Sequence, residues 1–324
     1  MNEGTIVNAG ALITALLTIA LLLGMWRARR RRFVAFLLFI PALLFGIAAS
    51  LFFWYGHRPQ PAPAQEALFP GIEYTRAVRS TPRPLVLHLI RIDLATPGLE
   101  FVVTPGTPGE DLPARTVSEF LTEFDLQLAI NGAYFQPWWD RAPWDYYPHS
   151  GDPVHPVFGI AAARGTVYAV DETGTMSEAL FISADNQVSF RTPVGDTYNA
   201  IGGLTMLLSS GTNVIDVLNV EDESLHPRTA VGLDESGQTL ILMVIDGRQP
   251  GYSEGVSLRE LAELMRDFGA YQALNLDGGG SSTLVAEGSD GQPSILNSPI
   301  HSRIPGQQRP VATHLGVSIR AAGN

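Results

Sequence analysis

The sequence predicts an α+β fold: a mixed β-sheet domain with a few packed helices, preceded by a transmembrane hairpin of two helices. Three observations lead to this prediction. Two uncharged, mostly apolar stretches lie near the N-terminus, short apolar segments separated by turn residues fill most of the remainder, and two segments there begin with a helix-capping pattern. We therefore divide the chain into an anchor at 1–56, a linker at 57–71 and a domain at 72–324.

The anchor consists of the apolar stretches at 5–26 and 33–55. Each is long enough to cross a hydrocarbon core about 30 Å thick at about 1.5 Å per residue. Residues 27–32 between them read RARRRR, and short arginine-rich loops stay on the cytoplasmic side of a membrane. We therefore expect a two-pass protein of the cell membrane, with its N-terminus and its C-terminal domain both extracytoplasmic. A cleaved signal peptide and a buried soluble hairpin fit less well, because no positive charge precedes the first stretch and neither stretch has a polar face.

The linker, HRPQPAPAQEALFPG at 57–71, is rich in proline and alanine and has no periodicity. It predicts a semi-rigid spacer that lifts the domain off the bilayer.

Composition limits the chemistry of any site. The chain has no cysteine, and its 21 basic residues are all arginines, which excludes disulfides, thiolate nucleophiles and lysine Schiff bases. A bound anion must therefore be held by arginine, histidine, backbone N–H groups or a metal. The chain has 32 acidic and 21 basic residues, and its part after the anchor has 31 acidic and 16 basic residues, a formal charge of −15. So acidic a domain argues against nucleic acid or anionic lipid as the ligand. No cofactor is required by the sequence.

Local patterns predict the elements of the domain. PLVLHLIRIDL at 84–94 alternates as a half-buried strand does, and two pairs of apolar segments, at 165–184 and 228–246, flank short turns as β-hairpins do. Helices are predicted at 116–124 and 257–269, because each begins with a hydroxyl residue followed three positions later by glutamate.

Each predicted helix is followed by an apolar strand that stops at asparagine and small residues: LQLAINGAYF at 126–135 and YQALNLDGGG at 271–280. If both strands lie in one sheet and run the same way, Asn131 and residues 275–280 emerge at the same edge. Open sheets bind ligands at such strand ends.

Four segments in this order resemble the phosphodiester glycosidase family: NGAYF at 131–135, HPRTAVGL at 226–233, DGRQPGYSEG at 246–255 and NLDGGGSSTLV at 275–285. The likeness covers roughly residues 116–319, and it departs from the family's usual two glycines where Gly132 is followed by Ala133. The resemblance implies an extracytoplasmic hydrolase that cleaves a sugar from a sugar-1-phosphodiester. With the anchor, it predicts action on cell-envelope or exopolysaccharide glycans at the outer face of the membrane.

Such a reaction expels a phosphate monoester, so it needs a carboxylate to attack or to activate water, and donors for the phosphate charge. Asp277 is the candidate nucleophile or base, because it follows an apolar strand and precedes Gly278, Gly279 and Gly280. These glycines leave room for a sugar, and their N–H groups could form an anion-binding nest. The alternative is an aspartate that caps a strained turn.

Arg228 is the candidate phosphate clamp, since its planar fork can grip two phosphate oxygens, and a surface salt bridge is the alternative. Asp246 and Arg248 form DGR directly after an apolar strand. They are either the second carboxylate and a second cation or a turn whose charges pair with each other.

The remaining candidates for substrate binding are Asn131, Gly132, Tyr134, His226, Ser253, Asn275 and Ser281. The asparagines could bond sugar hydroxyls or satisfy backbone groups at strand ends, and His226 could orient phosphate or be structural. Tyr134 opens an aromatic loop at 134–147 whose rings could stack on a sugar or serve as packing anchors. Asp246, Asn275 and Asp277 are hard oxygen donors, so a divalent cation such as calcium or magnesium is compatible with the sequence, although no EF-hand or H-E-x-x-H spacing is present.

Two other functions are open. GYSEG at 251–255 matches the G-x-S-x-G elbow of serine hydrolases, but Ser253 is too far along the chain from the strand that ends near Asp246 for a tight elbow. The domain could also be a non-catalytic module that binds glycans of the cell envelope. Binding would survive loss of Asp277, whereas hydrolysis would not.

Overall fold

The computed structural model describes residues 3–171, 178–218 and 223–320. Its helices are α1 (Glu3–Arg27), α2 (Arg32–Gly56), α3 (Val117–Glu123), α4 (Val214–Val217) and α5 (Leu258–Asp267), with short 3₁₀ turns at Gly279–Ser281 and His301–Arg303. Its strands are β1 (Ala64–Phe69), β2 (Ile72–Arg79), β3 (Leu85–Asp93), β4 (Leu99–Val103), β5 (Leu112–Pro113), β6 (Leu128–Asn131), β7 (Phe135–Gln136), β8 (Trp139–Ala142), β9 (Asp145–Tyr147), β10 (Pro153–Pro156), β11 (Ile160–Ala163), β12 (Thr166–Val170), β13 (Ala179–Ile182), β14 (Val188–Phe190), β15 (Asn199–Gly202), β16 (Thr205–Ser209), β17 (Thr212–Asn213), β18 (Arg228–Leu233), β19 (Thr239–Ile245), β20 (Gln272–Asn275), β21 (Leu284–Glu287), β22 (Pro293–Ile295) and β23 (His314–Ile319).

The two N-terminal helices are present as predicted, and they pack against each other along their length. Small residues permit the close approach: Gly10 lies against the ring of Phe52, and Gly24 lies against Leu38. Both helices are long and apolar enough to cross a membrane, with mean hydropathies of 2.1 and 2.5, and 0% and 6% of their most apolar windows are buried. Their apolar side chains therefore face outward instead of filling a protein core.

The domain is built around two antiparallel sheets that face each other. The first sheet has the strand order β1-β2-β3-β19-β18-β20-β16-β17, and the second has the order β22-β21-β6-β23-β4. One hydrophobic core contains Ile90, Val231 and Leu274 from the first sheet together with Leu128 and Leu315 from the second. This confirms the α+β prediction in a mostly-β form, because every ladder between labelled strands is antiparallel.

A helix covers the outer face of each sheet. Leu261 and Met265 of α5 pack with Leu87 and Ile241 of the first sheet, and α3 packs in the same way on the second. The result is a helix–sheet–sheet–helix arrangement. It explains why the strand predicted at 84–94 is buried on both faces instead of one.

The predicted helix starts are confirmed. Thr116 and Ser257 each accept a hydrogen bond from the backbone N–H three residues later, and Glu119 and Glu260 complete the two capping boxes. Two backbone donors at each helix start are satisfied in this way, without any partner from elsewhere in the chain.

The strand predictions have mixed outcomes. The hairpin at 228–246 is confirmed as β18–β19. The one at 165–184 is wrong, because β12 pairs with β11 while β13 pairs with β14 and β15. Part of its expected turn, 172–177, lies outside the described residues. The assumption that the strands at 126–135 and 271–280 share a sheet is also wrong, since β6 belongs to the second sheet and β20 to the first.

The segment expected to be a spacer, 57–71, contains β1, which forms one edge of the first sheet and pairs with β2. Proline does not prevent this strand, because Pro61 and Pro63 precede it and so remove no ladder hydrogen bond from its interior. The domain therefore begins earlier than the sequence indicated, at about Ala64.

Candidate active site

A small cleft of about 180 Å³ lies where the ends of the two facing sheets meet. It is lined by Tyr134, Phe135, Trp138, His226, Arg228, Arg248, Asp277, Gly278, Gly279, Gly280 and Arg309. Eight of these residues are among the candidates that the sequence supplied, although the chain segments that carry them are far apart. Phe135 and Trp138 fall within the predicted aromatic loop, and Arg309 was missed.

The position of Asp277 is fixed by the end of β6. The side-chain amide of Asn131 donates to the Asp277 carbonyl at 2.7 Å, and the Asp277 N–H donates to the Gly132 carbonyl at 3.0 Å. The two predicted strand ends therefore do meet, although they come from different sheets. Because the N–H and the carbonyl of Asp277 are both hydrogen-bonded to the end of β6, its backbone is fixed and its carboxylate has a defined position in the cleft.

The carboxylate of Asp277 is nearly enclosed, since the residue is only 8% exposed. Burial raises its pKa to about 6, because desolvation disfavours the charged form. The Ser281 hydroxyl, the Arg309 charge, the Gly278 N–H and the Arg248 charge act in the opposite direction. At neutral pH the group is therefore mostly ionised and also more basic than an ordinary aspartate.

Three guanidinium groups line the same cleft. Arg228 opens β18 and is 6% exposed, with its Nε donating to the Val256 carbonyl and its Nη2 to the Ser224 carbonyl, both at 3.3 Å. Arg248 lies beside His226, whose Nδ1 is 3.1 Å from its Nη2. These contacts fix the positions of two positive charges in the cleft wall.

The third guanidinium belongs to Arg309, which is 5% exposed. It contacts the Asp140 carboxylate at 3.3 Å and the ring of Trp138 at 4.9 Å, and its Nε donates to His301 Nδ1 at 3.3 Å. In a chain whose 21 basic residues are all arginines, nothing in the local sequence QQRPV distinguishes this one. Its importance comes only from the fold.

Each glycine of the Gly278–Gly280 run admits a different neighbour. A Cβ on Gly278 would lie 2.9 Å from the Pro227 carbonyl oxygen, and one on Gly280 would lie 2.7 Å from the Arg309 guanidinium. Gly279 has a φ of +62°, and its Cβ would lie 3.1 Å from Arg248. A side chain at any of these three positions would therefore displace the Pro227 carbonyl or the guanidinium group of Arg248 or Arg309.

The anion-binding nest expected at these glycines is not formed as predicted. The Gly278 N–H donates to the Asp277 carboxylate at 2.8 Å, and the Gly279 N–H donates to the Pro227 carbonyl at 2.8 Å. Two of the three donors are therefore used within the protein, because the loop folds back on itself. The guanidinium groups supply the positive lining of the cleft instead.

Comparison with known proteins places the chain in a family. Residues 124–318 match the family model described as phosphodiester glycosidase. The chain belongs to the phosphodiester glycosidase family.

The family's curated relatives include N-acetylglucosamine-1-phosphodiester alpha-N-acetylglucosaminidases. The mouse protein is 28% identical over 248 residues, which cover 68% of this chain and 44% of the mouse protein. The protein from Bos taurus is 45% identical over 204 residues, covering 58% and 37%. The chain thus spans less than half the length of either relative.

Two solved structures share the fold. The catalytic domain of zebrafish N-acetylglucosamine-1-phosphodiester alpha-N-acetylglucosaminidase, auto-inhibited by its pro-peptide, superposes with a TM-score of 0.54 at 22% identity, covering 82% of this chain and 86% of that one. A hypothetical protein from Synechocystis gives 0.52 at 16% identity, covering 80% and 64%.

Six of the candidates lie outside the cleft lining, and two of these, Asp246 and Ser253, support the loop at 246–255. Asp246 is 1% exposed: its Oδ1 accepts from the Ser298 N–H at 2.8 Å and from Asn297 at 3.0 Å, and its Oδ2 bonds His88 at 3.1 Å. The Ser253 hydroxyl donates to the Asp246 carbonyl at 2.6 Å and accepts from the Val86 N–H. Both side chains therefore brace the loop at 246–255, in the sense that they stabilise it through buried hydrogen bonds.

The other candidates hold the walls of the cleft. Asn131 also accepts from the Thr229 hydroxyl at 2.9 Å, and Asn275 donates to the Tyr134 hydroxyl at 3.3 Å. A Cβ on Gly132 would lie 2.6 Å from the Thr313 hydroxyl, so close strand packing requires glycine there. Ser281 lies under Asp277 and hydrogen-bonds its carboxylate.

The divalent cation that the sequence left open has no acidic cage among the described residues. No group of three or more histidine, aspartate and glutamate side chains there is arranged to hold a metal ion. Asp246 and Asp277, two of the suggested oxygen donors, bond different protein groups.

The bracing role of Asp246 predicts a loss of stability in Asp246→Asn. If the new NH2 group faces the Ser298 N–H, that donor loses its acceptor. If it faces His88, the imidazole loses a charged partner and must change tautomer, so we expect a cost of about 1–3 kcal/mol in either case. Chemical denaturation of the detergent-solubilised chain measures the free energy of unfolding. Asp196→Asn at an exposed position is the control and should change it by less than about 0.5 kcal/mol. An equal, small effect of both substitutions would contradict the bracing role.

Proposed function

We propose that this chain is a membrane-anchored hydrolase that releases a sugar from a sugar-1-phosphodiester outside the cytoplasm. The observation that carries the proposal is a nearly buried carboxylate, Asp277, in one small cleft with three guanidinium groups. A carboxylate suits an anomeric carbon that develops positive charge, and guanidinium groups suit a phosphodiester. The curated relatives are named for action on a sugar-1-phosphodiester, which supports the same reaction.

In this reaction the bond between the anomeric carbon and the phosphate oxygen breaks, and its electron pair leaves with the phosphate. Arg228, Arg248 and Arg309 stabilise the charge that grows there. Asp277 either attacks the anomeric carbon, with water later displacing it, or removes a proton from the attacking water. Both routes need the ionised carboxylate, and both end with a free sugar and a phosphate monoester. The phosphate monoester is a good leaving group, so protonation by a second carboxyl group is not required.

Aromatic side chains supply the sugar-binding wall. Tyr134 and Trp138 line the cleft, and Trp138 remains 51% exposed although Arg309 packs on its ring. A partly exposed ring held rigidly at a cleft suits stacking against the apolar face of a sugar. Asn275 orients this wall through its contact with the Tyr134 hydroxyl.

The two N-terminal helices support a location at a membrane. Their apolar side chains face outward, and the loop between them carries the arginines of 27–32. Arginine retains such a loop in the cytoplasm, so both helix ends away from the loop, and the domain that follows, lie outside. Glycans of the cell envelope are the substrates within reach there.

The central test is Asp277→Asn. Asparagine preserves shape but can neither attack nor accept a proton, so we expect sugar release from a panel of sugar-1-phosphodiesters to fall by about 10³-fold or more. Since the raised pKa shows that the ionised side chain destabilises the folded state, the variant should gain about 3 kcal/mol in unfolding free energy at pH 8. That gain should vanish below about pH 3, where aspartate is protonated in both the folded and the unfolded state.

Ser253→Ala is the matched control for this test. It removes a hydroxyl that braces a loop, so it should lower stability while retaining most of the hydrolysis. Loss of hydrolysis in Ser253→Ala with retention in Asp277→Asn would instead support a serine hydrolase. A folded wild type that binds glycans equally well with and without Asp277, and releases no sugar, would support a binding module.

The pH dependence of kcat/KM follows from the raised pKa of Asp277. The reactive form is ionised, so the rate should fall as pH decreases, with a midpoint near pH 6 and a tenfold loss per unit below it. The Arg309 charge lowers this pKa, so Arg309→Gln should move the midpoint to higher pH. A midpoint near pH 4 in both proteins would show that the group titrating in the assay is not a buried Asp277.

The close approach of Gly280 to Arg309 predicts that the two positions act together. In Gly280→Ala the new methyl group displaces the guanidinium, so we expect about a 10²-fold loss of sugar release. Arg309→Ala should cause a similar loss, and the double variant should be no worse than either single variant. Additive losses would mean that Gly280 serves the site independently of Arg309.

A further inference from the structure

The last turn of α2 is bonded directly to the cleft. The hydroxyl of Tyr55, next to last in α2, donates to the Arg248 carbonyl at 2.9 Å. The side chain of the same Arg248 lines the cleft beside Asp277. One residue therefore connects the N-terminal helical hairpin to the proposed phosphate-binding wall.

The chain that follows α2 strengthens this connection. Arg58 donates to the Ser298 hydroxyl at 2.8 Å and lies 3.8 Å from the centroid of the Tyr252 ring. Gln60 donates to the Tyr252 carbonyl at 2.9 Å. At Gly251 the backbones come so close that a Cβ would lie 2.4 Å from the Gly56 carbonyl oxygen. Residues 56–60 thus lie along the loop at 246–255, and little slack remains before β1 begins.

The depth of the cleft follows from the length of α2. Its 25 residues extend about 37 Å, whereas the hydrocarbon core is about 30 Å thick, so one end turn at least reaches the headgroup layer. Trp54, 53% exposed, and Tyr55 lie at that end, and such aromatic residues favour the interface. Since the Arg248 carbonyl is bonded to Tyr55, we expect the cleft to lie near the height of the lipid phosphates.

We propose that the cleft acts on a sugar-1-phosphodiester whose other phosphate ester is to a long-chain alcohol embedded in the bilayer. This inference rests on the proposed function and names the aglycone of its substrate. The phosphate of such a lipid lies at headgroup depth, level with the guanidinium groups of the cleft, and its sugar extends outward to Asp277. Hydrolysis adds OH to the sugar and H to the phosphate, and the lipid monophosphate stays in the membrane.

Two further features fit a substrate held in the bilayer. The aromatic loop beside the cleft exposes Trp138 by 51% and Trp144 by 86%, and large exposed indole rings suit a membrane interface better than water. The cleft is also locally positive, with Arg228, Arg248 and Arg309 against Asp277, although the chain as a whole is acidic. A substrate that diffuses in water would not require the cleft to be tied down at this height.

The experiment compares two esters of N-acetylglucosamine 1-phosphate, one of methanol in solution and one of hexadecanol in phosphatidylcholine vesicles. The full-length chain is reconstituted into vesicles, and the hexadecyl ester is placed either in the same vesicles or in separate ones. Release of free sugar is measured. We expect the methyl ester to be cleaved, and the hexadecyl ester to be cleaved at least about 10²-fold faster in the same vesicles than in separate ones, because anchoring raises the effective concentration.

A spacer variant tests the height of the cleft. Twelve prolines inserted between Gly56 and His57 lift the domain by about 37 Å, at about 3.1 Å per residue. Hexadecyl ester cleavage should fall by at least about 10²-fold, whereas methyl ester cleavage should not change. Tyr55→Phe is the matched control, because it removes only the bridging hydroxyl and leaves Arg58 and Gln60 in place; both rates should stay within about threefold.

The outcomes separate this inference from the proposed function. Cleavage of the methyl ester with no preference for hexadecyl ester in the same vesicles, or with no effect of the spacer, would overturn the lipid aglycone and leave the hydrolase standing. If the folded wild type cleaves neither ester and releases no sugar from the wider panel of sugar-1-phosphodiesters, the proposed function fails and the inference fails with it.

Discussion

The site depends on one junction between the two facing sheets. The Asp277 carbonyl accepts from Asn131 and its N–H donates to the Gly132 carbonyl, so the chain after β20 is held to the end of β6 by two buried hydrogen bonds. These bonds satisfy backbone groups that would otherwise be left without partners where the first sheet stops. They also leave the side chain of Asp277 as the group that faces the cleft.

Burying this carboxylate is unfavourable, and the surrounding structure offsets the cost only in part. Guanidinium charges and two hydrogen bonds stabilise the ionised form, yet desolvation still dominates and raises the pKa to about 6. Full compensation would have produced a weakly basic, unreactive carboxylate. The arginines near Asp277 thus keep its carboxylate ionised at neutral pH without removing its basicity. Asp246 differs, because both of its oxygens are hydrogen-bonded within the protein and it stabilises the loop at 246–255.

The glycine run belongs to the same arrangement. Gly278, Gly279 and Gly280 bring the Pro227 carbonyl, Arg248 and Arg309 close to the segment that carries Asp277. Arg248 in turn accepts the Tyr55 hydrogen bond through its carbonyl. Arg248 therefore connects α2, which we place in the membrane, to the segment that carries Asp277. The position of the domain at the membrane is in this way coupled to the cleft.

The sequence by itself determined the features that depend on near neighbours in the chain. These are the two apolar helices, the capping boxes at Thr116 and Ser257, the β18–β19 hairpin, and a set of candidates that includes Asp277, Arg228 and Arg248. Each rests on periodicity, turn residues or a motif within a short window, where local backbone physics decides the outcome. The family resemblance came from the same short segments.

Only the tertiary structure decided which distant residues meet. It placed β6 and β20 in different sheets, put Arg309 in the cleft, gave Asp246 a bracing role and docked residues 56–60 on the loop at 246–255. Asn131 and Asp277 are 146 residues apart in the chain, and Tyr55 and Arg248 are 193 apart. Such contacts form because packing two sheets and two helix layers buries apolar surface, and local sequence patterns carry no record of which partners that burial selects.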